Sequence, residues 1–359
     1  MPVRAYTLIV PSSSIERAAP GLPAHVLITT VPFGAHDPAP MTMLDRLNQR
    51  TSPGGANEPA VDRVRVTINP LDRKLTAEEL AEMVHDVTVI IAGTEPITAE
   101  VMDSAPGLQL IARVGVGLDS VDLAAARDRG IAVTYTPDAP APAVAELTIT
   151  LMLSLLRQVP LANTQMHRGS WHRHTGRRLA HSTIGIIGAG RIGGRVIAHL
   201  TALGTHRILV HDVQHDPSIL SGAHISWATM DEVLQESDVV SVHVPLSAQT
   251  RGLIAREQLQ RMRTDAYLIN TARGGIVNED DLVDALLSGT IAGAAVDVFE
   301  NEPYSGPLAG IDNCLLTAHM GSMSIDCRSR MEIEATTEAV HLIEGRGLVN
   351  PVPPSEYPD

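Results

Sequence analysis

Residues 182–204 read STIGIIGAGRIGGRVIAHLTALG, and the fold class turns on them. TIGII (183–187) is an apolar, β-branched run of buried-strand type, and RVIAHL (195–200) spaces its apolar residues as a helix does. Between them stand Gly188, Gly190 and Gly193, with Ala189, Arg191 and Ile192 in the gaps. Gly188 permits the tight turn, Gly190 lets backbone approach a pyrophosphate, and Gly193 lets helix and strand pack closely. The helix N-terminus then favours the phosphate charge. Taken alone, such a motif is equally a structural glycine turn or a methyltransferase loop. Here Asp212 ends the next strand, RILVHD, at roughly the twenty-residue spacing where an acid accepts hydrogen bonds from ribose hydroxyls. It would repel a 2′-phosphate, and no Arg or Lys follows it immediately, so NAD is expected over NADP. His215 and Arg191 are the nearby groups that would hold a phosphate if that expectation failed.

Strand and helix alternate on both sides of this turn. Downstream, RILVHD, ISWAT, VVSVHVP, AYLINTA, AGAAVDV and CLLTAH are strand candidates, interleaved with helices such as MDEVLQES and NEDDLVDALLSG. A further helix is expected at roughly 324–344. Upstream, AHVLITTVPF, VRVTINP, VTVIIAG, LQLIARVGVG and IAVTYTP read as strands. LTAEELAEMV is a helix opened by a capping-box pair, Thr76 and Glu79. ITAEVMDSA and VDLAAARDRG are short helices, the second closed by Gly130. DAPAPA (138–143) breaks the rhythm before the long apolar helix AVAELTITLMLSLLRQV. The first twenty or so residues read as a loosely held extension, and TSPGGANEPA (51–60) as an exposed loop. Two α/β halves with parallel sheets are the most economical architecture.

The 359 residues suffice for about two domains. Hydrophobic residues make up 44% and aromatics only 3%, so the cores must be aliphatic, which favours helix-covered parallel sheets. A formal net charge of −14 argues against general attraction to nucleic acid or anionic membrane. Cys314 and Cys327 form no disulfide framework, so a reducing compartment is expected. The opening MPVRAYTLIVPSSS has too short an apolar run for a signal peptide. Leu147 to Leu156, bracketed by Glu146 and Arg157, is half the length of a membrane span. A soluble, cytoplasmic protein is expected. His167, His172, His174 and His181 share a basic, Gly-bearing connector with Trp171. They read as a solvated segment rather than a metal site, which would want fixed geometry and Cys or carboxylate closure, so no metal is expected.

From His25 to the C-terminus the chain resembles the D-isomer-specific 2-hydroxyacid dehydrogenase family. The resemblance rests on ARVGVGLDSVDLAAARDRGIAV, AVAEL, TIGIIGAGRIGGRV, VHVPLSAQTRGLI, LINTARGGIVNEDDLVDAL, AGAAVDVFENEP and LLTAH. INPLDRKLTAEEL with AGTEPIT is most similar to its phosphoglycerate-dehydrogenase-like branch, without a C-terminal regulatory domain. The resemblance implies two Rossmann-like α/β domains with parallel sheets, the cofactor domain inserted into a flavodoxin-like substrate domain. Residues 1–143 and 324–359 would bind substrate and 144–323 would bind NAD. It implies an NAD-dependent exchange between a small-molecule 2-oxo acid and its D-2-hydroxy acid, and a homodimer formed through the cofactor domain.

By that resemblance the catalytic trio is Arg273 (NTARGG), Glu302 (DVFENEP) and His319 (LLTAH). Arg273 ends an apolar strand, where active-site loops of open α/β sheets gather, and its guanidinium can hold a carboxylate or polarise a carbonyl. Without the motif it would be a surface salt-bridge residue. His319 follows the strand CLLTA and can protonate the carbonyl oxygen; in isolation it would be a solvated or capping histidine. Glu302 alone reads as a loop charge, but beside His319 it would stabilise the imidazolium. That the two touch is implied by the resemblance, not by the residues.

Val116 and Gly117 match a loop whose backbone N–H groups bind the substrate carboxylate, though a plain strand-end turn fits them too. Thr271, Asp297, His243, Val244 and Pro245 match positions lining the nicotinamide side of the cofactor; Asp297 could equally be a strand-end residue. The chain departs from the family at Pro140, where a polar residue often precedes AVAEL. It departs again at Ala92, Gly93 and Thr94, where many phosphoglycerate dehydrogenases carry a basic pair. Strand alternation would put residues 113, 115 and 117 on one side, making Arg113 the candidate to hold a second anion at C3, such as a phosphate, phosphonate or carboxylate. An internal salt bridge from Arg113 to Glu95 or Asp119 is the alternative. Two other functions share the cofactor domain: a non-catalytic NAD-sensing scaffold like the corepressors of this fold, and oxidation of formate or phosphite.

Overall fold

The computed structural model describes residues 23–49, 63–216 and 222–358. The expected N-terminal extension and the 51–60 loop lie outside them. The chain divides into two compact units. The first comprises the described residues up to Val114, with Ser120–Thr136 and Glu332–Asp359; the second comprises Gly115–Asp119 and Pro137–Met331.

The first unit alternates strand and helix: β1 (Ala24–Ile28), α1 (Ala39–Gln49), β2 (Val64–Ile68), α2 (Ala77–Met83), β3 (Val89–Ala92), α3 (Ala99–Asp103), β4 (Leu110–Arg113), α4 (Leu123–Asp128) and β5 (Ala132–Thr134). The strands pair in parallel in the order β2-β1-β3-β4-β5, which is the flavodoxin-like order. β1, β3 and β4 are covered on both faces, so Leu27, Ile28, Ile90, Ile91, Leu110 and Ile111 are all fully buried. The expected capping box opens α2: Glu79 N donates to Thr76 Oγ1 at 3.2 Å, and Thr76 N donates back to Glu79 Oε2 at 2.9 Å. Arg73 also grips Glu79, and these hydrogen bonds hold its carboxyl down at about 2.

The second unit opens with α5 (Ala141–Arg157) and α6 (Val159–His167), then β6 (Thr183–Ile187), α7 (Arg191–Ala202), β7 (Arg207–His211) and β8 (Ile225–Trp227). It continues through α8 (Met230–Glu236), β9 (Val239–Val242), α9 (Arg256–Arg261), β10 (Tyr267–Asn270), α10 (Glu279–Leu287), β11 (Gly293–Val296) and β12 (Cys314–Leu316). α11 (Ile325–Ile343) begins here and ends in the first unit. The described strands form a parallel sheet in the order β12-β11-β10-β9-β6-β7-β8, a Rossmann order extended by one strand. The order reverses between β6 and β9, and this is where open α/β sheets bind ligands.

Helix α5 begins at Ala141, inside the Pro-rich break, because Pro142 sits in the first turn, where no backbone N–H is needed. It buries Ile149, Met152 and Leu156 in one core layer with Ile184 and Ile186 of β6 and Val196 of α7. At Gln158 the backbone turns left-handed (φ 53°), and α6 departs at 63°. α6 covers residues 160–166, to which the sequence reading gives no element, and ends where the connector begins at His167. No single helix among the described residues is long and apolar enough to cross a membrane.

Candidate active site

The glycine turn sits at the switch point. Gly188 has φ +93°, and a Cβ there would lie 2.7 Å from the His243 carbonyl oxygen at the end of β9. A Cβ on Gly193 would lie 2.0 Å from the Gly188 carbonyl oxygen. Both positions therefore demand glycine for packing. Gly190 is different, since a Cβ there would meet nothing within 4 Å. Open space thus stands at the N-terminus of α7, where backbone N–H groups and the helix dipole favour an anion. Asp212, just past β7, accepts from Ala189 N at 2.7 Å through Oδ2 and from Gln214 N at 2.8 Å through Oδ1. Its carboxylate is thereby fixed to the turn. Arg191 pairs with Asp138 at 3.0 Å, and His215 stacks on Trp227 with ring centroids 4.5 Å apart. Open glycine, helix terminus and anchored acid together fit a dinucleotide.

The ends of β9 and β10 line the next stretch. His243 places Nε2 2.9 Å from Ser241 Oγ, and its Nδ1 is buried with no partner among the described residues. Burial pushes this imidazole down to about 4, so it is neutral at physiological pH. Val244 packs against the core, and the Pro245 carbonyl accepts from Thr250 Oγ1 at 2.6 Å. Beyond β10, Thr271 Oγ1 lies 2.8 Å from Thr148 Oγ1 on α5. The single hydroxyl proton of Thr148 goes to the Val144 carbonyl, so Thr271 is the donor. Asn270 then folds the loop back by donating to the Arg273 carbonyl at 2.9 Å and accepting from Ala272 N at 3.1 Å.

Arg273 is thereby aimed at the 115–119 segment. Its Nε donates to Asp119 Oδ1 at 3.0 Å and Nη1 to the Ala272 carbonyl at 2.7 Å. Nη2 lies against Gly117, where a Cβ would stand only 1.9 Å away. Gly117 is thus a glycine because the guanidinium occupies the space of a side chain. The sequence offers Asp119 only as a partner for Arg113; in the structure it orients Arg273.

His319 and Glu302 meet as the resemblance implies, with Nδ1 2.8 Å from Oε2. A carboxylate can only accept, so the neutral ring carries its proton on Nδ1, and Nε2 is the atom that gains or gives a proton. The other carboxylate oxygen, Oε1, accepts from Phe299 N at 3.0 Å. His319 has φ 47°, left-handed for a non-glycine residue. Its conformation is held by its N–H on the Asp297 carbonyl at 2.8 Å. The Asp297 carboxylate, fully buried, takes Thr317 Oγ1 at 2.6 Å and the N–H groups of Met320 and Gly321 at 2.9 Å. Asp297 is thus committed to shaping the His319 loop. The Arg273 and Glu302 loops abut directly: a Cβ on Gly274 would lie 2.1 Å from the Phe299 carbonyl carbon and oxygen. Gly274, Asn270 and Glu279, which accepts from Glu300 N at 2.7 Å, escaped the sequence reading. The glycine doublet after Arg273 was the available signal.

Arg113 belongs to the first unit. β4 ends at this residue, and Gly115 turns with φ 151°, so the alternation that would align 113, 115 and 117 does not continue. The Arg113 side chain is buried at the carboxyl end of the sheet, with Nη1 donating to the Ala92 carbonyl at 3.2 Å. Glu95, also buried, accepts through Oε1 from Thr29 Oγ1 and from Gly93 N.

The family model described as D-isomer specific 2-hydroxyacid dehydrogenase, NAD binding domain, matches residues 149–321. A glyoxylate reductase of Thermofilum pendens is 39% identical over 286 residues, covering 76% of this chain and 84% of that protein. A D-3-phosphoglycerate dehydrogenase of Methanocaldococcus jannaschii is 39% identical over 254 residues, covering 69% of this chain but only 48% of the longer relative. Among solved structures, the D-lactate dehydrogenase of Aquifex aeolicus, complexed with NAD and lactic acid, is similar with a TM-score of 0.76 at 26% identity. That match covers 89% of this chain and 96% of the other.

Proposed function

The chain belongs to the D-isomer-specific 2-hydroxyacid dehydrogenase family and is an NAD-dependent oxidoreductase of that class, and on this premise we propose that it interconverts a short 2-oxo acid and its D-2-hydroxy acid at Arg273, Glu302 and His319. We assign cofactor binding to residues 144–323 and substrate binding to 1–143 and 324–359. The observation that carries the reading is the joining of two loops in one unit: an arginine oriented by Asp119 and a histidine whose proton-bearing atom is set by Glu302.

Gly188, Gly190, Arg191, Ile192, Gly193 and Asp212 would hold the adenosine and diphosphate. His243, Val244, Pro245 and Thr271 would flank the nicotinamide, with Asp297 acting through the loop it shapes. When bound, NADH supplies the hydride that reaches C2. The backbone of Val116 and Gly117 takes the substrate carboxylate, and the Arg273 guanidinium, always charged, orients and polarises the carbonyl. His319 Nε2 delivers a proton to the carbonyl oxygen, and Glu302 stabilises the imidazolium that carries it. Oxidation runs the same residues in reverse.

At C3 the substrate carries a second anion, a phosphate, phosphonate or carboxylate, held by Arg113. This residue takes the place of the basic pair missing at Ala92–Thr94. A second copy of the chain covers the exposed apolar side chains of α6 and the connector after it. Val159, Met166 and Trp171 are 55%, 51% and 80% exposed there. A monomer by light scattering would refute that assembly.

The test is NADH oxidation with glyoxylate, pyruvate, hydroxypyruvate and its phosphate ester, on wild type and Arg113→Ala. The reading expects turnover by wild type, and a KM that rises strongly in the variant only for the doubly anionic substrate. Equal losses across the panel with a lower Tm would make Arg113 structural. Tight NADH binding with no turnover of any 2-oxo acid would instead indicate a scaffold, and NAD reduction by formate or phosphite a different oxidation.

A further inference from the structure

The loop carrying Glu302 is anchored from a third side, by a residue the mechanism above does not use. Glu279 is the first residue of α10, and Asn278 caps that helix. Its neighbours face elsewhere: Asp281 accepts from Arg256 N at 2.9 Å, and Asp280 is exposed. Glu279 alone of the three acids in this turn reaches the 299–302 loop, where its Oε1 accepts from Glu300 N at 2.7 Å. One residue earlier in that loop, Phe299 N holds Glu302 Oε1 at 3.0 Å, and Oε2 of the same carboxylate meets His319 Nδ1 at 2.8 Å. Two successive backbone N–H groups are thus pinned by two carboxylates, one from α10 and one from within the loop itself.

We propose that Glu279 is the positioning residue of the His319–Glu302 pair, fixing the 299–302 backbone so that Glu302 presents one oxygen inward and the other to the imidazole. This inference rests on the function proposed above. Glu279 is partly buried, and Glu300, Asp280 and Glu302 all oppose its charge, which together raise its pKa. The other groups facing this corner are Tyr304, whose phenol is itself raised in part by Glu279, and Arg251, 3.8 Å from Glu300. A neutral acceptor would satisfy Glu300 N without burying charge.

The test compares Glu279→Ala with Glu279→Gln. Losing the anchor lets Glu302 shift by about an ångström, and misplacements of that size cost on the order of tenfold to a hundredfold in rate. The Ala variant should therefore lose at least about tenfold in kcat, with KM and the NADH Kd within about twofold of wild type. Gln, which keeps the acceptor, should restore most of the rate. A second readout needs no turnover: the 15N resonances of the His319 ring should report a fixed Nδ1–H form in wild type and Gln, and a mixture of tautomers in Ala. If Ala fails to fold, Glu279→Asp, one methylene short of Glu300 N, replaces it and must show the same kcat loss. Wild-type kcat in Ala with an unchanged His319 spectrum would overturn the proposal. So would equal losses in Ala and Gln that follow Tm. A wild type inactive on every 2-oxo acid would refute the proposed function, while the ring spectra would still decide the role of Glu279.

Discussion

Gly117→Ala separates site geometry from stability. The added Cβ would stand 1.9 Å from Arg273 Nη2, 2.8 Å from Cζ and 2.9 Å from Asp119 Oδ1. Ordinary contact needs about 3.5 Å, so the guanidinium must retreat by about 1.5 Å. It can do so cheaply, because it is the far end of a flexible side chain and φ at Gly117 is not in the left-handed region. Stability should hardly change, while displacement of the group that orients the carbonyl should cost about a hundredfold in kcat/KM, or about 2.7 kcal/mol. Gly274→Ala is the contrast. Its Cβ would meet the Phe299 carbonyl at 2.1 Å and Glu300 N at 2.5 Å, which are backbone atoms that no rotamer change relieves. Overpacking of that kind costs about 1–3 kcal/mol or more, so this variant should lose Tm as well as rate. Thermal melts and NADH oxidation on the two proteins are the assay. If Gly117→Ala keeps its rate within about threefold, Arg273 does not act from the position described. If it melts as early as Gly274→Ala, the clash is not relieved by the arginine and the reasoning fails.

Glu302→Gln keeps the shape of the pair but removes the charge that stabilises the imidazolium, and should lower kcat by roughly a hundredfold at unchanged NADH Kd; an unaltered kcat would remove Glu302 from the mechanism. Asp212→Ser deletes the carboxylate bound to Ala189 N and should narrow the preference for NADH over NADPH by at least tenfold, as kcat/KM ratios would show. For Glu279 the pH dependence has a definite sign. Its folded pKa lies above 4.5, so its contribution to stability is full below about pH 4.5 and is lost as pH rises through the raised value. Glu279→Gln should therefore melt higher than wild type near neutrality, with the gap closing on acidification; a gap that widens at low pH would contradict the assignment.

What the sequence made legible was set by local sterics. Gly188 and Gly193 lie where a Cβ would strike backbone, and Thr76 and Glu79 satisfy each other within one helical turn, so such features leave marks at short spacing. The helices that escaped notice lack those marks. α6 starts from a left-handed Gln158 with Pro160 in its first turn and buries none of its residues, so it shows neither a cap nor an apolar stripe. In the site, Arg273 and Asp119 are 154 residues apart in sequence, and Glu279 acts on a backbone N–H rather than on a side chain. Neither contact has a periodicity that could betray it. Strand alternation could not carry the reading from Arg113 to Gly117 for a related reason, because β4 stops at Arg113 and Gly115 turns with φ 151°.

The reaction we propose requires that Arg273 hold and polarise a 2-oxo acid without itself carrying the affinity for the dinucleotide. Arg273→Ala tests this most directly, with steady-state kcat/KM on the best 2-oxo acid measured beside NADH Kd by fluorescence. The account predicts a loss of about a hundredfold to a thousandfold in kcat/KM, as expected for removing a preorganised group aimed at the reacting oxygen, with NADH Kd within about twofold of wild type. A variant that reduces the same acid at near wild-type efficiency would contradict it.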